Sequence, residues 1–64
     1  MNTKTQWIAT ADQLPTNSLV VLTKIDDEKG PRNEAELKRI NRLWFVPDGS
    51  TYVYYRPTHW AYKA

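Results

Sequence analysis

Seven of the eight aromatic side chains in this 64-residue chain fall between Leu43 and Tyr62. The run reads Leu43-Trp44-Phe45-Val46, then Pro47-Asp48-Gly49-Ser50, then Thr51-Tyr52-Val53-Tyr54-Tyr55-Arg56. Aromatic and β-branched residues fit a pleated, half-buried surface. Pro, Asp, Gly and Ser each favour a turn for their own backbone reason. The spacing therefore predicts a hairpin of Leu43–Val46 and Thr51–Arg56. Alternation puts Tyr52 and Tyr54 on one face and Val53 and Tyr55 on the other. Pro57 bends the chain or brings it to a sheet edge. Thr58–Tyr62 then reads as a last short strand.

A chain this short buries only about 60% of its unfolded surface. It has no Cys, so neither a disulfide nor a thiolate metal site is open to it. Three Trp, four Tyr and one Phe are the means left for stabilising a small core. Trp7, Leu14, Val21, Trp44 and Trp60 are the expected core. Residues 1–6 are polar and expected to fray, and residues 7–64 form one small domain. No stretch approaches the ~20 apolar residues that span a bilayer, and Met1–Gln6 lacks the apolar run of a signal peptide.

Along the chain, Thr10-Ala11-Asp12-Gln13-Leu14 suits one helical turn with Thr10 as its N-cap, ended by Pro15. Ser18–Ile25 is the clearest strand, apolar on both faces at its centre. Asp26–Asn33 is charged and broken by Gly30-Pro31, the pattern of an exposed, mobile loop. Two readings fit Glu34–Arg42. Asn33 caps a helix with Glu34 and Glu36 in its first turn and Leu37, Ile40 and Trp44 along one stripe. Alternatively a strand turns at Asn41-Arg42 into Leu43, with Asn tolerating positive φ and Arg a poor second turn residue.

Charge is uneven. Residues 1–36 hold four basic and six acidic side chains, and residues 37–64 hold five and one. The halves differ in sign, which gives one basic face if the fold keeps them apart. Arg39, Arg42 and Arg56 beside Trp44, Phe45, Tyr52, Tyr54 and Tyr55 resemble the mix used on single-stranded nucleic acid. The simpler reading spends most of these aromatics on the core. His59 is the sole His. One imidazole builds no metal site alone. A triad from Ser18 or Ser50, His59 and Asp12 or Asp48 lacks a nucleophile-elbow motif. Asp26-Asp27-Glu28 lacks the alternate spacing of a calcium loop. No catalytic residue, metal or cofactor is expected.

Taken together, Trp7-Ile8, Asp12, Leu14-Pro15, Val20-Val21-Leu22, Ile40-Asn41-Arg42-Leu43-Trp44 and Thr58-His59-Trp60 resemble the DUF551 family of small proteins of unknown function, common in bacteriophages and prophages. The resemblance covers about residues 7–60. Family members carry Gly in the turn where this chain has Arg42. The resemblance implies a β-rich fold, a strand rather than a helix at Glu34–Arg42, and a viral origin with action in the cytoplasm of a bacterial host. It implies no reaction.

The expectation is a mainly β fold: a single antiparallel sheet of three to four strands with a short N-terminal helical turn. The alternative is α+β with a helix at about 33–42. The expected role is that of a phage accessory protein, not an enzyme, that binds a host bacterial protein. It either blocks a defence or is the trigger a host immune protein senses. Arg42, Tyr52, Tyr54, Tyr55 and Arg56 are the expected partner-binding residues, with Thr51–Arg56 or Thr58–Tyr62 offering a sheet edge. A nucleic-acid-binding module using the basic, aromatic second half is the alternative. A small core with outward aromatics also allows a homodimer.

Overall fold

The computed structural model describes residues 5–63. The part of the frayed N-terminus expected at residues 1–4 lies outside the described residues. Five strands build one antiparallel sheet: β1 (Ile8–Ala9), β2 (Val20–Asp27), β3 (Gly30–Ile40), β4 (Leu43–Phe45) and β5 (His59–Ala61). Their spatial order is β1-β5-β2-β3-β4. The mainly β expectation holds, with five strands rather than three or four.

Directly paired residues share a face of the sheet, and neighbours in sequence alternate. Ile8 pairs with Trp60, Trp60 with Thr23, Val21 with Leu37 and Arg39 with Trp44. These residues make the inner face. Val21, Leu37, Trp44 and Trp60 are its buried cluster, with Ile8, Val46, Val53 and Tyr55 packed against it. Each such buried large side chain stabilises by about 1.5–3 kcal/mol. Against a total of about 3–10 kcal/mol for a chain of this size, each member of the cluster supplies a substantial share.

Two irregular segments cover the inner face. The first runs from Thr10 to Ser18. Trp60 Nε1–H donates to the Gln13 carbonyl at 2.8 Å, and the Thr10 hydroxyl bonds the Pro57 and Thr58 carbonyls, each at 3.1 Å. The second runs from Val53 to Pro57, and both Pro15 and Pro57 are buried. The expected helical turn is not a helix. Asp12 and Gln13 N–H both donate to the Ala9 carbonyl, which closes a single turn. Thr10 does not cap it, because its hydroxyl is committed to the second segment.

Two core assignments need correction. Leu14 is 46% exposed. The buried place in that segment goes to Pro15, and the Gln13 tie to Trp60 fixes Leu14 facing outward. Trp7 is half-buried rather than core. Ile8 occupies the inner slot opposite Trp60, so Trp7, one residue earlier, falls on the outer face. There its ring lies 4.3 Å from the Lys24 ammonium, a cation–π contact.

The charged stretch expected as a loop is instead the tip of the β2–β3 hairpin. Pairing continues to Asp27 opposite Gly30. Gly30, at φ 94°, adopts the left-handed conformation that the residue after a tight turn requires. Asp27 Oδ1 accepts the Lys29 N–H at 2.9 Å, and its carboxylate holds the Arg32 guanidinium at 2.8 and 3.0 Å. An extra residue enters β3 at Asn33, φ 56°, where the register shifts. The Arg32 pair holds the Asp27 carboxyl at about 2, well below its ordinary 3.8.

Residues 33–42 form strand and turn, not helix. Leu37 faces Val21 on the inner side, and Ile40 falls on the opposite face. The stripe a helix needs is thus split by pairing that outweighs local propensity. Asn41, at φ 58°, takes the first position of the two-residue turn into β4.

Beyond the Pro47–Ser50 turn, the expected second hairpin strand is short. Tyr52 bridges Phe45, and Val53 N–H donates to the Trp44 carbonyl at 2.8 Å. The chain then bends at Tyr54-Tyr55 to reach Pro57 and cross the inner face. Nor is Thr58–Tyr62 an edge: β5 lies between β1 and β2. β1 and β4 end the sheet, and β3 adds a long open edge from Gly30 to Leu37, which is unpaired because β4 reaches only Lys38–Ile40. Pro31, the Asn33 bulge, Glu34 and Glu36 guard that edge against pairing with other chains.

Candidate functional site

Where the two covering segments meet the β3–β4 corner, they leave a cleft of about 420 Å³. Three arginines from three parts of the chain line it. Arg39 stands on the inner face of β3, Arg42 in the β3–β4 turn, and Arg56 just before the buried Pro57. Thr10, Ala11 and Leu14 of the first covering segment form one wall, with Pro57 and the edge of Trp44 below.

None of the three guanidinium groups forms an ion pair or donates a hydrogen bond among the described residues. The ion pairs lie elsewhere: Lys24 with Asp26, Arg32 with Asp27 and Lys63 with Glu36. Asp26, Asp27 and Glu36, on β2 and β3, each pair with a base of their own, and no carboxylate lines the cleft. Arg39 is half-buried. Three cations gathered without a carboxylate repel one another, and an anion placed among them relieves that repulsion. Arginine keeps its charge at any physiological pH and offers a fork of donors that matches a carboxylate or phosphate.

The sheet separates the residues expected to act together. Arg42 and Arg56 meet in the cleft. Tyr52 pairs with Phe45, one residue beyond Trp44, and so stands on the outer face. There Phe45, Tyr52 and Tyr54 stack edge to face, at centroid distances of 6.0 and 5.5 Å. Tyr54 is 92% exposed. Tyr55, expected among the contacts, is half-buried and packs on the core with Val53.

Sequence reasoning missed Thr10, Ala11, Leu14 and Pro57 as cleft walls. It placed Arg39 among the basic residues but not among the contacts. The available signal was the charge excess after residue 36. Nothing local says that residues 10–14 come to lie beside it.

His59 is committed to structure. Its Nδ1 lies 2.8 Å from the Thr58 hydroxyl, which accepts the Asp26 N–H at 2.8 Å. Ser18 and Ser50 make no hydrogen bond to it. Asp48 accepts the Ser50 N–H at 2.9 Å, and that bond holds its carboxyl below the ordinary range. Among the described residues no three His, Asp or Glu side chains gather as a metal cluster, and no helix is long and apolar enough to cross a membrane.

No protein-family model, curated protein or solved structure matches this chain.

Proposed function

We propose that this chain is a small, non-catalytic binding protein that engages an acidic surface of a protein partner through Arg39, Arg42 and Arg56. The observation that carries the reading is three guanidinium groups in one cleft with no carboxylate partner. Such charges steer encounter and set specificity. A bidentate arginine–carboxylate pair adds geometric selectivity.

A polymer of phosphates fits the arrangement less well. Nucleic-acid binders without sequence preference line a basic track with aromatic faces for successive bases. Here the exposed Tyr52 and Tyr54 lie on the face of the sheet opposite the arginines. The acidic end of the β2–β3 hairpin also interrupts any long basic path.

The family resemblance supplies the setting: a phage accessory protein acting in the cytoplasm of a bacterium, with a host protein as partner. The bound host protein is either a defence component that the chain blocks or an immune sensor that it triggers.

The test is binding of a fluorescent oligoglutamate peptide to the parent chain and to Arg39→Gln/Arg42→Gln/Arg56→Gln. The parent binds, with affinity that weakens as salt rises. The triple variant keeps its β-sheet circular dichroism and loses binding. A single-stranded oligonucleotide that binds tighter than the peptide at physiological salt would overturn the reading in favour of nucleic acid.

A further inference from the structure

The cleft is larger than a carboxylate needs, and apolar residues make up half of its lining. Its volume of about 420 Å³ lies within the range of small-molecule sites, and a water-sized group takes only about 30 Å³. Four of its eight lining residues are apolar, and they contribute the Leu14 side chain, the Ala11 methyl, the Pro57 ring and the Trp44 edge. Leu14 is the informative member. It is 46% exposed, held outward by the Trp60–Gln13 hydrogen bond and by the burial of Pro15. An apolar side chain fixed in an open position beside three unpaired cations suits a ligand with both characters.

We infer that the segment this cleft takes is an acidic peptide carrying one large aliphatic side chain among its carboxylates. The inference rests on the reading of the cleft as a site for an acidic protein surface, and it names what that surface presents. The aliphatic side chain enters between Leu14 and Pro57 and covers the Trp44 edge. The flanking carboxylates meet Arg42 and Arg56 on the rim and Arg39 within. Charge selects and orients the segment, and burial of the aliphatic group against Leu14 supplies the discrimination among acidic sequences.

The test uses the full chain and three labelled peptides: Glu-Glu-Leu-Glu-Glu, Glu-Glu-Gly-Glu-Glu and Gln-Gln-Leu-Gln-Gln, read by fluorescence anisotropy. The leucine acidic peptide binds about tenfold tighter than the glycine one, a ratio in the range one apolar side chain provides. The glutamine peptide does not bind. Leu14→Ser, a change at an exposed position, removes the preference for leucine but keeps the acidic peptides bound. Tyr52→Ser, on the other face, changes nothing. Equal affinity for the leucine and glycine acidic peptides overturns the aliphatic anchor and leaves the arginine reading standing. Failure of both acidic peptides to bind overturns the two together. Light scattering that shows self-association abolished by Arg39→Gln assigns the cleft to a second copy and also overturns the inference.

Discussion

Replacing Trp60 with Phe tests how the covering segments are held. Trp60 has no exposed surface and stands between Ile8 and Thr23 on the inner face. Phenylalanine keeps one aromatic ring but removes the indole N–H and roughly two to three carbon-sized groups, each worth about 0.8 kcal/mol of burial. The lost bond to the Gln13 carbonyl adds about 1 kcal/mol, limited because Gln13 is exposed and its carbonyl can turn to water. The sum is a loss of about 2–3 kcal/mol, a large share of the stability available at this length. At about 4–8 °C per kcal/mol, Tm falls by about 10–20 °C. Urea unfolding followed by circular dichroism measures the loss. Hydrogen exchange locates it, with residues 10–18 opening first. The cleft walls Thr10, Ala11 and Leu14 loosen with that segment, so peptide affinity falls as well. A loss below about 0.5 kcal/mol, or faster exchange in β2 and β3 instead of residues 10–18, would refute the reasoning.

Thr58→Val removes the acceptor of the Asp26 N–H and costs about 1–3 kcal/mol in urea denaturation, the penalty for an unsatisfied donor in a partly buried position. Ser18 holds φ at 70° in the Thr16–Leu19 turn, so Ser18→Gly raises stability by about 0.5–1 kcal/mol, since glycine adopts that conformation without strain. Asp27 is held at about 2 by Arg32 first and by the Lys29 N–H second. A carboxyl with a lowered folded value contributes stability above its unfolded value and loses it as pH falls through the folded one. Asp27→Asn is therefore less stable than the parent at neutral pH, and the gap closes between about pH 4 and pH 2; a gap that persists at pH 2 would assign its origin to something other than this charge.

The fold was more legible in the sequence than the site was. Alternation across Val20–Lys24 sets Val21 and Thr23 on one face, and the turn residues at 47–50 separate Phe45 from Tyr52 correctly. Residues 33–42 were ambiguous because Glu, Ala, Leu and Lys favour helix locally. What decides them is β2, lying alongside with Val21 opposite Leu37, and that contact is not local. The burial of Pro15 in place of Leu14 was equally hidden. It depends on the indole N–H of Trp60, 47 residues from Gln13. The three arginines illustrate the limit. Their excess could be counted, but their meeting depends on the path of Tyr54–Pro57 across the inner face. Alternation sets Trp44 and Phe45 on opposite faces, and Tyr52 with Phe45, but it does not place Arg42 and Arg56, which lie outside the strands, so the separation of Tyr52 and Tyr54 from those arginines was hidden as well.

The most direct measurement is a nuclear magnetic resonance titration of the isotope-labelled chain with the leucine-containing acidic peptide, reading the arginine Nε–H and tryptophan indole signals. Shifts concentrated on Arg39, Arg42, Arg56 and the Trp44 indole, with Arg32 and the Trp7 indole unmoved, are the predicted result. Shifts confined to the Tyr52–Tyr54 face, or none in the cleft at saturating peptide, would contradict the assignment of recognition to the arginines.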